Sequence, residues 1–284
     1  MTHIILVGDT GKPGGAKPVG RLIKKLHNEL PVDAVGLLGD NVYPDGLPEG
    51  EDFTLMEQCF KKIFPQQLDY YAILGNHDYH GNTQAQIEYG KHNKQWHMPQ
   101  TYYHKVVGVC DIFFLDTNVD EMEESEIETQ KHTMLTLINN SKQKWKILCG
   151  HHTWHSVGGH GNADKKLDDF LKTLVTTCRY PIDMYVCGHD HCKSVINLPL
   201  PPRQICVIVS GGGGANYPDV EFDNNYRNLE NVKGKHAGQL EFYAPSAGVL
   251  QLKADKSKMT CGFVDCNGMR EWERTFHKKI ILAS

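Results

Sequence analysis

The sequence predicts an α/β protein built as an α-β-β-α sandwich, in which two mixed sheets pack together between outer layers of helices. Three observations support this fold class. Short apolar runs alternate with helical patterns over the first two thirds of the chain, and only strand-like runs follow. In addition, 40% of the 284 residues are hydrophobic, which is enough for a sizeable core. We expect one domain over residues 1–284, because the candidate site residues span most of it.

Alternation of strands and helices is typical of βαβ units and a parallel sheet. The predicted strands lie near residues 4–8, 34–39, 70–75, 109–115, 145–149 and 184–187. The predicted helices lie near residues 18–29, 52–64, 83–94, 126–140 and 164–177. After residue 192 we expect a second, more antiparallel sheet, with strands near residues 193–198, 205–210, 247–254 and 259–265. The stretch 211–245, rich in glycine, asparagine and charge, is expected to form a long loop near the site.

Composition limits the possible partners. A net charge of −4 gives no general attraction to nucleic acid or acidic membranes, so an anionic substrate would need a local cationic centre. The nine cysteines form no Cys-x-x-C pair, which predicts free, mostly buried thiols. No apolar run has membrane-spanning length, and Met1 leads almost directly into the first strand, so we expect a cytoplasmic protein. A mature secreted protein that had lost its signal peptide would look the same.

One design recurs at the ends of five predicted strands: an apolar run, a glycine and then a side chain that can bind metal. The residues after these glycines are Asp9, Asp40, Asn76, His151 and His189. The carboxyl ends of strands in an α/β sheet face a common crevice, and glycine lets the backbone approach closely, so we expect these side chains to converge. A single aspartate in such a place is usually a turn or cap residue, but five repeats favour a metal site.

Tyr43 and His191 extend this set to seven candidate ligands for two metal ions. Carboxylate, amide, imidazole and phenol groups together suit a trivalent ion beside a divalent one. Because a phenol titrates near pH ~10, ligation by Tyr43 at lower pH requires a strongly acidic cation such as Fe³⁺. The alternative is an aromatic lid on the turn before Pro44. The position of Tyr43, three residues after Asp40, favours the ligand role.

As a set, these residues resemble the purple or tartrate-resistant acid phosphatases of the calcineurin-like metallophosphoesterase superfamily, and in particular their small animal-type members. The resemblance extends from Ile4 to about Phe276, and it includes the stretch from Gly81 through Trp96 to Tyr103. The motifs that carry it are Gly-Asp9, Gly-Asp40-Asn-Val-Tyr43, Gly-Asn76-His77-Asp78, Gly-His151 and Gly-His189-Asp-His191.

By position, the resemblance implies which residues bind which ion. Asp9, Tyr43 and His191 would bind Fe³⁺, while Asn76, His151 and His189 would bind a divalent ion, which is Fe²⁺, Zn²⁺ or Mn²⁺ in the family. Asp40 would bridge both ions. The resemblance further implies hydrolysis of phosphate monoesters by in-line attack of a metal-bound hydroxide, with the two ions about 3.5–4 Å apart.

Three further residues are candidates for catalysis. His77 is expected to bind the phosphate ester and to protonate the leaving alkoxide, with Asp78 nearby to orient it and keep it protonated. His160, in the loop Gly158-Gly-His160-Gly, matches a substrate-contacting histidine of the family. The alternatives are a structural histidine on a tight turn for His77 and an exposed histidine in a mobile loop for His160. His152 is expected to point away from the site.

Several positions depart from the family pattern. Thr10 stands where these enzymes usually have tryptophan, and His152-Thr153 replaces the usual Tyr-Pro. The segment from Asp116 to Ser125 is shorter than the regulatory loop of animal members, so repression by such a loop is not expected. Because the changed residues adjoin the expected pocket, they leave substrate preference open.

The leading hypothesis is a monomeric acid phosphatase for small phosphate monoesters, with phosphoproteins as a second substrate class. A rival is a phosphodiesterase or protein phosphatase of the same superfamily. Those enzymes usually have a histidine two residues after the first aspartate, where this chain has Gly11. From a different class, the chain could be an iron-binding or redox protein, or a partner-binding module in which hydrolysis is incidental. The complete ligand set together with His77 argues against that class.

Overall fold

Two seven-stranded mixed sheets form the centre of the protein. The computed structural model describes residues 1–50, 52–201, 203–215 and 239–278. In chain order the strands are β1 (Thr2–Val7), β2 (Ala34–Leu38), β3 (Tyr70–Ile73), β4 (Trp96–His97), β5 (Tyr103–Val107), β6 (Cys110–Phe114), β7 (Trp145–Cys149), β8 (Met184–Cys187), β9 (Lys193–Leu200), β10 (Arg203–Ser210), β11 (Leu240–Ala244), β12 (Gly248–Ala254), β13 (Lys258–Asp265) and β14 (Arg270–His277).

Helices cover the outer faces of both sheets, which confirms the predicted fold class. They are α1 (Pro13–Glu29), α2 (Thr54–Met56, continued by a π-helical turn over Glu57–Lys61), α3 (Asn76–Tyr79), α4 (Thr83–Tyr89), α5 (Glu124–Asn140) and α6 (Lys165–Thr177). A 3-10 turn at Val119–Glu121 precedes α5. Of the loop predicted over 211–245, residues 216–238 lie outside the described residues, and residues 240–244 form strand β11 instead.

Both sheets have a parallel centre, to which antiparallel pairing is added at one edge of the first sheet and at both edges of the second. The first sheet has the order β14-β13-β12-β1-β2-β3-β4, and the second has the order β11-β9-β10-β8-β7-β6-β5. The prediction that the strands after residue 192 form a separate sheet is therefore wrong. Strands β9 to β11 extend the second sheet and β12 to β14 extend the first, so neither β1 nor β8 is left as an exposed edge.

Three apolar cores separate the four layers. Alternate side chains of β1 show the arrangement, because Ile4 and Leu6 point between the sheets whereas Ile5 and Val7 pack toward α1. On the second sheet, Phe113 of β6 belongs to the core that it shares with α5 and α6. Central strands buried on both faces need apolar residues at every position, which explains the continuous apolar runs in the sequence.

The parallel strands β1, β2 and β3 of one sheet and β7 and β8 of the other place the candidate residues at their carboxyl ends. All nine cysteines are free and eight of them are buried, as predicted. Among the helices of the described ranges, none is both long enough and apolar enough to cross a membrane.

Candidate metal centre

The seven candidate ligands converge in two adjacent groups. In the first group, the Tyr43 hydroxyl lies 3.2 Å from Asp9 Oδ1 and 3.1 Å from His191 Nε2. His191 Nε2 is in turn 3.4 Å from Asp9 Oδ1. One potential ligand atom from each of Asp9, Asp40 and His191 lies within 4.8 Å of the others, a spacing that one cation could occupy.

The second group contains Asn76, His151 and His189. His151 Nε2 lies 3.0 Å from Asn76 Oδ1 and 3.2 Å from His189 Nδ1. Asp40 lies between the two groups and faces both. Its Oδ2 accepts a hydrogen bond from the Tyr43 hydroxyl at 2.7 Å, and its Oδ1 is 3.4 Å from His151 Nε2.

The chemistry of the second group fits a bound cation. His151 Nδ1 lies 2.8 Å from the carbonyl oxygen of Leu38 and must donate to it, because a carbonyl only accepts. In the neutral ring, Nε2 then has a lone pair that faces the oxygens of Asn76 and Asp40. Electron pairs that point at one another are unfavourable unless a cation or a proton lies among them. A histidine that donates its other nitrogen to a carbonyl is the usual arrangement of a metal ligand.

The backbone at the site adopts a conformation that side chains rarely allow. Asp9, Asp40 and His189 have positive φ angles of 64°, 54° and 69°. Such residues cost about 1–3 kcal/mol each and persist where the surrounding structure enforces them, commonly at functional sites.

The glycines before the ligands leave room for ligands from other strands. A Cβ atom at Gly75 would lie 2.2 Å from Asp40 Oδ1, and one at Gly188 would lie 2.6 Å from Asp9 Oδ2. The backbone at these glycines therefore lies close to ligand side chains, as expected. Each of these glycines gives space to the carboxylate of a different strand end.

Electrostatics also favour a cation at this position. Asp9 and Asp40 are almost completely buried. Burial and the neighbouring Asp9 and Asp40 carboxylates raise the pKa of Tyr43 well above its usual value, so the phenol keeps its proton unless positive charge is added. Burial, and after it the neighbouring histidines, lower the pKa of His189, which leaves that ring neutral and able to donate a lone pair to metal.

His77 lies beside the first group, but Asp78 does not orient it. The His77 ring packs against the Tyr43 ring with centroids 4.4 Å apart, and its Nδ1 contacts the carbonyl oxygen of Pro44. The Asp78 carboxylate instead accepts the backbone amide of Gly75 at 2.8 Å and that of Asn41 at 3.1 Å. The fully buried Asp78 carboxylate therefore holds the backbone turns of Gly75 and Asn41 and does not orient His77, while a part of Asp78 in catalysis stays a prediction. Burial and the charge of Asp40 raise the pKa of Asp78 to about 6.

A cavity of about 270 Å³ opens beside the second group, where Asn76 and His189 form part of its wall. His160 lies at this wall, with its ring stacked on that of His189 at a centroid distance of 4.0 Å. The expectation that His152 points away is wrong, because its ring centroid is 4.7 Å from that of His189 and it lines the same cavity. Burial and the charge of His151 lower the pKa of His152 to about 3, so this ring is neutral.

Sequence reasoning missed two residues that support the site. Thr117 follows β6, and its hydroxyl accepts the backbone amides of His151 at 3.1 Å and His152 at 3.0 Å. The end of β6 has no glycine, so the repeated pattern did not reveal it. Asp190 lies between two candidate ligands in the chain and is completely buried. Its position between His189 and His191 is a sequence signal that could have identified Asp190 as a residue of the site.

This fold and this arrangement of side chains define a metal-dependent phosphoesterase. The chain belongs to the calcineurin-like phosphoesterase family, whose model matches residues 2–193. Purple acid phosphatase 3 of Arabidopsis thaliana is 28% identical over 99% of this chain and 79% of that protein. Tartrate-resistant acid phosphatase type 5 of Mus musculus is 26% identical over 89% of this chain and 80% of that protein. The resemblance inferred from the motifs, and the prediction of an acid phosphatase, are thereby confirmed.

Solved structures support the fold. Purple acid phosphatase PPD1 from yellow lupin has a TM-score of 0.70 at 17% identity, covering 97% of this chain and 53% of that one. GAP50, described as the anchor in the inner membrane complex of Plasmodium, has a TM-score of 0.79 at 19% identity, covering 98% of this chain and 89% of that one. Because a phosphatase and an anchor share this fold, the detailed function must be argued from the site.

Proposed function

We propose that this protein is a dinuclear metal-dependent acid phosphatase that hydrolyses small phosphate monoesters. The observation that carries the proposal is the convergence of seven side chains into two groups, with one oxygen of Asp40 facing each. Fe³⁺ would be bound by Asp9, Tyr43 and His191. A divalent ion, which is Fe²⁺, Zn²⁺ or Mn²⁺, would be bound by Asn76, His151 and His189, with Asp40 shared.

When bound, a pair of cations supplies Lewis acidity that neutralises phosphate charge and lowers the pKa of water. The protein's own groups orient the ester and move the proton. The Pro44 carbonyl accepts from His77 Nδ1, so Nε2 can donate only when the ring carries both protons. In that imidazolium form, Nε2–H would bind the ester oxygen and pass its proton to that oxygen as the alkoxide leaves, and the ring would become neutral. His160, at the wall of the cavity beside the second group, would contact the phosphate.

Gly11 favours this proposal over a phosphodiesterase or protein phosphatase of the same superfamily. A Cβ atom at Gly11 would lie 2.6 Å from the backbone of Asn41 and of Val42. The histidine that those enzymes usually have at this position would require the turn after Asp40 to move. The turn that carries Asp40 and Tyr43 therefore leaves room only for glycine at position 11.

The test combines metal analysis, a visible spectrum and activity across pH on para-nitrophenyl phosphate and its bis-ester. We expect iron together with one divalent ion, a violet phenolate-to-iron band and preference for the monoester at acidic pH. The Tyr43→Phe variant should lose the violet band. Tyr103→Phe is the matched control, because Tyr103 is buried and donates to the carbonyl of Ala72, away from the site.

Each alternative has its own outcome. A colourless oxidised protein that contains only zinc or manganese would contradict the assignment of Tyr43. Preference for the bis-ester would favour the phosphodiesterase. Stoichiometric metal without turnover of either ester would favour a binding or redox module.

A further inference from the structure

The loop that carries His160 is held closed by its own hydrogen bonds. The Thr153 hydroxyl donates to the carbonyl of Gly161 at 2.7 Å, and the Ala163 amide donates to the carbonyl of Trp154 at 2.9 Å. The loop is therefore compact, and its ends lie close together.

Asp190 binds the centre of this loop. Its buried carboxylate accepts the backbone amide of His160 at 2.8 Å and the hydroxyl of Ser156. The Ser156 oxygen in turn accepts the amide of Gly158 at 3.0 Å. One carboxylate therefore accepts from both a side chain and a backbone amide of the loop, and it attaches the segment from Ser156 to His160 to the strand end that carries His189.

Close packing makes the attachment specific. A Cβ atom at Gly158 would lie 2.3 Å from Cγ of Asp190, so only glycine lets the loop reach the carboxylate. The neighbouring residue in the chain, His189, stacks on the ring of His160 at 4.0 Å with the planes 30° apart. The same strand end thus provides a proposed metal ligand and the group that holds the loop above it.

We infer that Asp190 is a positioning residue that fixes His160 beside the metal centre, so that the His160 ring meets the phosphate of the substrate. This inference rests on the proposed function, in which His160 contacts phosphate. Asp190 would therefore affect binding of the phosphate group through His160, and its substitution would change mainly KM.

The first test measures hydrogen exchange of the His160 amide in the whole purified protein, and it needs no activity. Loss of the hydrogen bond to the Asp190 carboxylate should speed this exchange by roughly tenfold in Asp190→Ala. Gly158→Ala should have a similar effect, because its methyl group forces the loop away from an intact Asp190. Asp190→Asn keeps an oxygen that can accept the amide, so it should restore most of the protection.

The second test is a double-mutant cycle with His160→Ala, read as KM and kcat separately on para-nitrophenyl phosphate. Asp190→Ala and His160→Ala should each raise KM by about tenfold. The KM of the double variant should exceed that of either single variant by no more than about threefold. Asp111→Ala is the matched control, because Asp111 on β6 is also buried but contacts His104 on β5. Asp111→Ala should change KM by the same factor in the wild-type and the His160→Ala background.

Additive effects of Asp190→Ala and His160→Ala would overturn the inference, and so would unchanged exchange at His160 in both Asp190→Ala and Gly158→Ala. If Asp190→Ala does not fold, Gly158→Ala and Asp190→Asn decide the question. Failure of the proposed function would look different. The wild-type protein would then hydrolyse no ester, while protection of the His160 amide and its loss in the variants could still be measured.

Discussion

The Nδ1 atom of His151 donates a hydrogen bond to the carbonyl oxygen of Leu38, 2.8 Å away. His151 follows β7 of the second sheet, whereas Leu38 is the last residue of β2 in the first sheet. Gly39 makes this contact possible, since a Cβ atom there would lie 2.6 Å from the same nitrogen. One sheet therefore orients a proposed ligand of the other, so metal binding should require both sheets to be packed together.

We predict that Gly75→Ala lowers the affinity for metal. The added Cβ atom would lie 2.2 Å from Asp40 Oδ1 and would displace the carboxylate that faces both groups. A loss of at least tenfold to a hundredfold in affinity is expected, since displaced supporting groups alone cost about that much. Equilibrium dialysis measures it. Gly14→Ala, on α1 with nothing within 4 Å of the added atom, should bind metal normally. Equal affinity of the two variants would contradict the prediction.

We predict that His77→Ala lowers kcat by about 10²- to 10⁴-fold while metal content stays unchanged, because general acid catalysis contributes about that factor. The ring lies against Tyr43 without filling a position among the seven candidate ligands. Steady-state kinetics on para-nitrophenyl phosphate and metal analysis of the same sample provide the measurement. His132→Ala, on the exposed face of α5, is the control. Full turnover of a normally metallated His77→Ala protein would exclude the role in proton transfer.

The sequence predicted the parts of the site that depend on local pattern. Asp9, Asp40, Asn76, His151 and His189 each follow an apolar strand and a glycine, and the fold brings these strand ends together. The pairing of the late strands could not be predicted, because β12 pairs with β1 across most of the chain. Strand β14 escaped notice because none of its residues is buried and it lacks an apolar run.

The expectation that Asp78 orients His77 was wrong because the partners of Asp78 are mostly distant in sequence. The carboxylate contacts Asn41 and Val42, which lie more than 30 residues earlier, and Gln86 on α4. The adjacent His77 suggested a catalytic pair on grounds of proximity in the chain alone. The short helix α3 instead sends the two neighbouring side chains to different surroundings.

We predict that Asp78→Asn destabilises the protein by about 2–4 kcal/mol, since an amide nitrogen would then face backbone N–H groups in a buried place. The hydrogen bonds affected are those that the Asp78 carboxylate accepts from the backbone amides of Gly75 at 2.8 Å and Val42 at 3.1 Å. Urea unfolding of the metal-free protein measures it. Asp45→Asn, at an exposed position near the same turn, should change the free energy of unfolding by no more than about 0.5 kcal/mol. Unchanged stability with a shifted pH profile of activity would contradict this prediction and would support a role of Asp78 in catalysis.

His3 should make the fold sensitive to acid at the end of β1 far from the site. Its Nδ1 lies 3.1 Å from the carbonyl oxygens of Leu30 and Pro31 and must donate, and its Nε2 lies 2.9 Å from the Gln251 side-chain nitrogen, from which it accepts. Gln251 cannot reverse without cost, because its oxygen accepts from Arg270 at 2.8 Å. Burial, then the charge of Lys253, lower the pKa of His3 below 6.5.

A histidine whose pKa is lowered in the folded state contributes stability that is complete above the unfolded pKa of about 6.5 and is lost as pH falls below it. We therefore predict that the free energy of unfolding decreases between pH 7 and pH 5, with His3 contributing at most about 1.4 kcal/mol per pH unit. In His3→Gln the decrease should be smaller, because a neutral side chain takes up no proton. His132→Gln removes an exposed histidine and should leave the slope unchanged. Urea unfolding at both pH values tests this, and parallel slopes for wild type and His3→Gln would show that His3 is not the group that titrates.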